Sequence, residues 1–381
     1  MADQDKKYMQ MALKLAEHGI GQVEPNPAVG CIIVKASQVI GKGWHNEFGG
    51  PHAEINAIED CKTLGAHPLH ATMYVTLEPC CTQGKTGPCT EAIIRSGVSE
   101  IVIATIDPSP QVNGKSIELL KEAGIKVKTG VCEREAKLMN APFIKFVLTG
   151  KCWVTLKWAQ SIDGKTAWVD GQKWVSNESS RKNAHQLRQN VQAILVGINT
   201  VLADSPLLTS RTGKGKQPLR VVLDSHLKIP HDCILLNSLE KAPLLIVTTQ
   251  ETMAAEPQKI EQLTKKGAEI LAVPTANGMC DIKTTIDQLS KRGITRLLVE
   301  GGPKVIASFL KERLADDINI YIATKMLGSL GIAGISDAMQ GLSETCNLYD
   351  TAIETFDGDV CIKGLTKEAL KTISIDEKAI Q

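Results

Sequence analysis

The sequence predicts two α/β domains in series, and three observations carry that reading. Short apolar runs alternate with segments of helical period along the chain. The alternation is interrupted by a long helical stretch, CEREAKLMNAPFIKFVLTG, after which a second series of strands and helices begins. A length of 381 residues exceeds one average domain and fits two comfortably.

In the first series, YMQMALKLAEHG carries apolar residues at helical spacing and stops at Gly19. VGCIIVK reads as a buried strand and QVIGKGWH as its partner across a short turn. AEINAIEDCKTLG is helical, ATMYVTL a strand, CTEAIIRSG helical, SEIVIAT a strand, GKSIELLKEAG a helix and IKVKTG a short strand. This succession calls for a sheet with helices on both faces. The boundary falls near Thr149, giving domains 1–149 and 150–381. In the second series CWVTLKWA, AILVG, LRVVLDS, APLLIVTT, AEILAVP, TRLLVEGG and INIYIATKML read as strands, with helical patterns such as SSRKNAHQLRQN between several of them. TGKGKQ is a loop by composition. NLYDTAIETFDGDVCIKGL supplies closing strands, and KTISIDEKAIQ reads as a ragged tail.

Composition narrows the function. Hydrophobic residues at 43% and charged ones at 22% describe a soluble globular protein with a sizeable core. A formal net charge of +1 counts against a protein that coats nucleic acid, which carries a clustered basic excess. No apolar run is long enough to cross a membrane. The start, MADQDKKYMQ, lacks the apolar core and cleavage site of a secretory signal. Eleven scattered cysteines make no disulfide framework; a reducing cytoplasm, with mostly buried thiols and a metal site, fits them better. Cys31 and Cys132, set among apolar residues, read as small core fillers.

The first chemical constellation joins PHAEINA to EPCCTQGKTGPC. His52 heads one helix, Cys80 follows a strand that ends in Glu78-Pro79, and Cys89 heads another helix nine residues later. Three N/S ligands with a fourth position open is the arrangement of a catalytic zinc, whereas a structural zinc takes four protein ligands. At the open position a water becomes acidic enough to attack at neutral pH. Glu54, two residues past the histidine, is placed to move protons without binding the metal. The order His-x-Glu…Pro-Cys…Cys is the signature of hydrolytic nucleobase deamination. His-Ala-Glu at a helix start is a common surface sequence by itself; four elements in order, each at a strand–helix junction, outweigh that. Cys81 is an alternative thiolate, and Cys80 is preferred because it directly follows Glu78-Pro79.

PNPAVG (Pro25 to Gly30), GWH, HAE, TLEPC and GKTGPC, followed by DPSPQVNGKS, resemble the deaminase half of the RibD family of bifunctional riboflavin-biosynthesis enzymes. The resemblance implies a cytidine-deaminase-like three-layer domain with one Zn²⁺. It also implies substrate contacts from Asn26, His45 and Lys85. The long loop between the cysteines lets Lys85 reach a substrate phosphate. Departures from the family pattern fall at Cys81-Thr82, at Thr86-Gly87-Pro88 and at Asn56, where a histidine is usual; the metal ligands and Glu54 are intact.

Downstream, LKWAQSIDGKTA, HQLRQNVQAILVGINTVLADSPLLTSR, VVLDS and LLVEGGPKVIASFL resemble the reductase half of the same family, with a dihydrofolate-reductase-like fold. On the residues alone, a buried strand ending in Glu300-Gly301-Gly302 and leading into a helix is a phosphate-binding geometry, although Gly-Gly there is also ordinary turn chemistry. Arg188 and Arg211 suit a substrate phosphate, though a lone arginine is commonly a solvated surface charge. The resemblance implies that Ala159, Thr200, Asp204, Ser225, Gly302 and Pro303 contact NADPH, with Trp174 near the nicotinamide. It implies further that Lys157, Arg188, Leu208, Arg211 and Glu300 line the substrate pocket. A strand lysine such as Lys157 more often points to solvent. Gln172 stands where a serine is usual, and Asp204-Ser205-Pro206 replaces Asp-Asp-Pro.

The expected activity is zinc-dependent deamination of 2,5-diamino-6-ribosylamino-4(3H)-pyrimidinone 5′-phosphate, followed by NADPH-dependent reduction of its ribosyl chain to ribityl. The expected setting is cytoplasmic, as a homo-oligomer (dimer or tetramer) acting on a small phosphorylated pyrimidine, without nucleic acid or membrane. One rival is a monofunctional nucleobase or nucleic-acid deaminase with a non-catalytic C-terminal binding domain. The other is a zinc-stabilised binding protein without catalysis.

Overall fold

The apolar run CIIVK forms the strand Gly30–Lys35, buried for all but its last residue. It pairs antiparallel with Gln38–Trp44 on one side and Thr72–Leu77 on the other. From Thr72–Leu77 the sheet continues in parallel through Glu100–Thr105 to Lys126–Thr129. Alternation along these strands sorts their side chains onto two faces. Ile33, Met73, Val75, Ile101 and Ile103 meet Ala53, Ala57, Cys61, Ile93 and Leu120 from the helices Ala53–Thr63, Cys89–Ser96 and Lys115–Glu122. Ile32, Val34, Tyr74 and Val102 meet Tyr8, Met9, Ala12 and Ala136 from Ala2–Ala16 and Glu133–Met139. The result is three layers, as the resemblance implied.

This computed structural model describes residues 2–83, 87–172, 174–210, 216–340 and 345–375, and the chain divides into the compact units Met1–Gly150 and Lys151–Gln381. Lys85, Arg211 and most of the TGKGKQ loop lie outside the described residues.

The main sheet of the second unit has nine strands among the described residues. Their order is Glu269–Val273, Leu244–Thr249, Leu219–Leu223, Ala193–Gly197, Arg296–Val299, Trp153–Ser161, Asp317–Ala323, Asp359–Leu365 and Tyr349–Phe356. The sheet is parallel as far as Asp317–Ala323, and the closing pair is antiparallel. Val154, Leu195, Val221, Val247, Leu297 and Val299 pack with Ile286, Leu289, Ile306 and Phe309 on one face. Ile194, Val196, Val222, Ile246 and Leu298 pack with Val201, Leu235 and Leu263 on the other. Arg296–Val299 returns between Ala193–Gly197 and Trp153–Ser161, so strand order reverses there. The carboxyl ends of strands at such a reversal form the binding crevice of open α/β sheets.

Two readings of the sequence change. The long helical pattern 132–150 is two helices, Glu133–Met139 and Ala141–Thr149, broken at Asn140 (φ −99°, ψ 15°). Pro142 lacks the amide hydrogen that would continue the ladder. The tail also begins as packed structure: Thr366 caps the helix Lys367–Thr372, and Ile373 is buried. Residues 376–381 lie outside the described residues.

Candidate active sites

Three side chains converge in the first unit. His52 flanks the start of Ala53–Thr63, Cys89 opens Cys89–Ser96, and Cys80 follows the end of Thr72–Leu77. Gly43 lets the first helix lie close: a Cβ there would come within 2.3 Å of Ala53 O and of Ala57 N. His52 Nδ1 stands 3.2 Å from Cys89 Sγ and 3.5 Å from Cys80 Sγ, and the three donor atoms lie within 4.8 Å of one another. Zinc bonds of about 2.1 Å to nitrogen and about 2.3 Å to sulfur put tetrahedral ligands about 3.5 Å apart, so the trio fits that ion. The Cys89 amide donates to Cys80 Sγ at 3.3 Å, fixing one thiolate from behind. The two thiols hold their protons unequally. Donation from the Cys89 thiol, helped by His52, pulls the Cys80 thiol down to about 4 against its burial. The same bond, followed by burial, pushes Cys89 up. Cys81 is not part of the cluster.

Glu54 is 3% exposed, and burial raises its carboxyl above the ordinary range while His52 and a bond from Cys89 pull it back. It lines a cleft of about 380 Å³ together with Asn26, His45, His52 and Cys80. His45 is buried; Nδ1 pairs with the Pro51 carbonyl at 3.0 Å, and Nε2 lies 3.2 Å from Asn26 Nδ2. Burial lowers its pKa, which favours a neutral ring able to accept a hydrogen bond at one nitrogen. Asn56, the departure from the family histidine, donates to Trp44 O at 2.7 Å and so braces the end of the strand Gln38–Trp44, just before His45.

Two cleft carboxylates escaped the sequence reading, which used Glu78 only as a spacing mark. Glu78 is 3% exposed and accepts from the amides of Asp107 (3.3 Å), Gly114 (2.9 Å) and Ser116 (3.2 Å). The Ser116 hydroxyl donates to Pro79 O at 2.5 Å. These bonds tie the DPSPQVNGKS segment to the metal-binding turn. Asp107 lines the same cleft, and burial, with Glu78 and Cys80 adding to it, raises its carboxyl to about 6. A carboxylate directly before a proline, just past the end of a buried strand, was the available signal in both cases.

In the second unit Lys157, Arg188 and Glu300 meet. Glu300 follows its strand with its side chain 8% exposed, and Arg188 grips it with two bonds of 2.8 and 2.9 Å, adding a 3.4 Å bond to Thr209 O. Lys157 Nζ lies 3.9 Å from Glu300 and 5.4 Å from the centroid of the Tyr321 ring. The strand lysine therefore points inward, and Arg188 is not a solvated surface charge. Burial alone would raise the Glu300 carboxyl; Arg188 and Lys157 reverse that and hold it at about 2. Two cations against one carboxylate leave one positive charge over within the trio.

At the adjoining crevice two helices start side by side. Gly197 flanks Ile198–Asp204 and Gly302 flanks Pro303–Lys311, and a Cβ on Gly302 would stand 3.3 Å from Thr200 Oγ1. Close backbone approach beside the amide-rich start of the longer helix suits a dinucleotide phosphate, bringing Thr200, Gly302 and Pro303 together. The other expected contacts have their own surroundings in the fold. Leu208, 2% exposed with φ +54°, packs its side chain into the core. The Ser225 hydroxyl accepts from the Cys280 amide at 2.9 Å and donates to its sulfur at 3.3 Å. Trp174 is 48% exposed beneath the Arg181 guanidinium, and its carbonyl accepts from Trp168 Nε1. Ala159 is half-buried against Tyr321 and Cys361, and Asp204 ends its helix exposed.

Comparison with known proteins agrees with this geometry. Residues 152–362 match the family model "RibD C-terminal domain", and residues 2–105 match "Cytidine and deoxycytidylate deaminase zinc-binding region". The riboflavin biosynthesis protein RibD of Aquifex aeolicus is 41% identical, over 94% of this chain and 97% of its own length. Its Escherichia coli counterpart is 36% identical over 86% of this chain and 89% of its own length. RibD of Acinetobacter baumannii superimposes with a TM-score of 0.83 at 33% identity, covering 96% of this chain and all of that one. The diaminohydroxyphosphoribosylaminopyrimidine deaminase/5-amino-6-(5-phosphoribosylamino)uracil reductase of Thermotoga maritima gives 0.83 at 34% identity, covering 96% and 99%. With both units matched along nearly their whole length, the chain belongs to the RibD family.

Proposed function

We propose that the chain carries out two consecutive steps on one phosphorylated pyrimidine: deamination of 2,5-diamino-6-ribosylamino-4(3H)-pyrimidinone 5′-phosphate in the first unit, then NADPH-dependent reduction of the ribosyl chain to ribityl in the second. The observation that carries the reading is the convergence of His52, Cys80 and Cys89 beside a buried Glu54, in one cleft, on a chain related to RibD proteins from end to end.

In the deaminase cleft His52, Cys80 and Cys89 would hold zinc, which supplies Lewis acidity to a water at its fourth position. Glu54 takes a proton from the attacking water and returns it to the departing amino group. Its raised pKa brings it nearer to neutrality, where one group can both accept and release a proton. Asn26 and the neutral His45 orient the pyrimidine.

In the second unit NADPH supplies the hydride. Gly302, Pro303 and Thr200 are proposed to seat its phosphates, with Ala159, Asp204, Ser225 and Trp174 along its length. Lys157, Arg188, Glu300, Arg211 and the main chain of Leu208 are proposed to bind the ribotide. The surplus positive charge of the Lys157–Arg188–Glu300 trio supports an anionic substrate. A homo-oligomer, dimer or tetramer, working in the cytoplasm belongs to the same proposal; light scattering of the purified protein tests the assembly. Among the described residues no helix is long and apolar enough to cross a membrane.

Glu54→Gln is the decisive variant. It should lower ammonia release from the ribotide by about a hundredfold or more while zinc content stays the same. NADPH oxidation on the deaminated ribotide should also stay unchanged. Undiminished ammonia release would refute the proton role. Failure of the wild-type chain to oxidise NADPH with the deaminated ribotide would leave a monofunctional deaminase.

A further inference from the structure

Asn140 sits at the break in the helical run, as the residue flanking the start of Ala141–Thr149. An asparagine there ordinarily turns its side-chain oxygen onto the second or third amide of the helix it opens. Here the second helical residue is Pro142, which has no N–H, and the Asn140 side chain makes no capping bond. It reaches instead to Ala28, 112 residues away in sequence. The Ala28 amide donates to Asn140 Oδ1 at 2.9 Å, and Asn140 Nδ2 donates to the Ala28 carbonyl at 2.9 Å. Asn140 is 1% exposed.

Residues 27–29 belong to neither helix nor strand, so their main-chain groups need partners from elsewhere. A carboxamide supplies one donor and one acceptor and so pairs with both groups of Ala28, as a neighbouring strand would. The segment it grips forms one wall of the deaminase cleft: Asn26, Pro27 and Val29 line it. The Asn26 amide is tied to Val23 O at 2.9 Å, and the Gly30 amide to Thr76 Oγ1 at 3.1 Å. The Asn140 clamp sits midway between these anchors and fixes the direction in which Asn26 leaves the chain.

We propose that Asn140 is a positioning residue of the deaminase site, holding the Ala28 main chain and, through it, the aim of Asn26 toward the pyrimidine. The proposal rests on the deaminase reading of this cleft. It predicts that Asn140 and Asn26 act as one unit, because losing the clamp matters to the reaction only while there is an Asn26 side chain to misplace.

The test uses the full chain loaded with zinc, in five forms: wild type, Asn140→Ala, Asn140→Asp, Asn26→Ala and the Asn26→Ala/Asn140→Ala pair. Ammonia release from the ribotide gives deaminase kcat and KM. NADPH oxidation on the deaminated ribotide and zinc content serve as internal controls. Asn140→Ala and Asn140→Asp should each lower deaminase kcat/KM about tenfold, with both controls within about twofold of wild type. Asn140→Asp keeps the acceptor and the size of the side chain, so it guards against a simple packing failure in the alanine variant. In the Asn26→Ala background, Asn140→Ala should cost less than about a further twofold. Full additivity of the two substitutions would overturn the proposal. So would an unchanged deaminase, or a loss of zinc or reductase activity that tracks the deaminase loss. A wild-type chain that releases no ammonia from the ribotide would instead overturn the deaminase reading itself.

Discussion

Glu78 shows how a single side chain carries a site it does not catalyse in. Its carboxylate accepts three amide hydrogens from the segment 107–116 while its own residue leads into Pro79-Cys80. Three amide donors converge on this one carboxyl, and a buried group left without a match costs about 1–3 kcal/mol. Glu78→Gln keeps the shape but turns an NH₂ toward donors, so at least one of the three bonds is lost. The first unit should unfold at a lower temperature by several degrees, for a cost of about 2 kcal/mol. Zinc should be released to a chelator faster than from wild type, because the turn that presents Cys80 has lost its brace. Calorimetry and a colorimetric zinc-release assay read both effects. An unchanged release rate would mean that the 107–116 segment does not support the metal site.

Elements add a second layer, in which charges are buried by where strands begin and end. Asp317 opens the strand Asp317–Ala323, accepting from Trp153 Nε1 at 3.3 Å, and burial raises its carboxyl from 3.8 to about 6. Glu300, just past the end of Arg296–Val299, is held at about 2. The two act on stability in opposite senses. A carboxyl raised in the fold binds protons more tightly there than in the unfolded chain. Stability therefore falls as pH climbs from about 4 to 6, and the cost is complete above that window. A carboxyl lowered in the fold contributes stability above its unfolded value of 4.5 and loses it as pH drops toward 2. Asp317→Asn should raise the stability of the second unit by about 1–2 kcal/mol at pH 8 and leave it nearly unchanged at pH 4. Denaturant unfolding at the two pH values checks this; an equal effect at both would exclude the charge as the cause. Most elements were legible in the sequence because buried strands such as CIIVK and AILVG are short apolar runs bounded by turn residues. The zinc trio was legible because its ligands sit at strand–helix junctions with a known order. What the sequence hid was long-range pairing. Pro142 removes one capping donor from Asn140, but nothing local shows that its side chain pairs with Ala28 instead. Likewise, nothing local shows that the hydroxyl of Ser225 is taken up by Cys280 or that Lys157 turns inward toward Glu300.

At the scale of the whole chain, each unit owns its core: Ile33, Met73 and Ile101 with their helices in one, Val154, Leu195 and Phe309 with theirs in the other. Ligands that bind only the native form of one unit stabilise that unit by mass action. Zinc should therefore act on the first unit and NADPH on the second. In calorimetry of the full chain, NADPH at about a hundred times its Kd should raise one transition by the equivalent of about 2.7 kcal/mol and leave the other in place. A chelator should lower the other transition alone, because His52, Cys80 and Cys89 hold donor atoms together that repel or trade protons once the cation is gone. Ammonia release should disappear with the zinc and return on its addition, while NADPH oxidation on the deaminated ribotide continues throughout. If NADPH and chelator moved the same transition, the two activities would share one cooperative unit, and the assignment of one chemistry to each sheet would have to be abandoned.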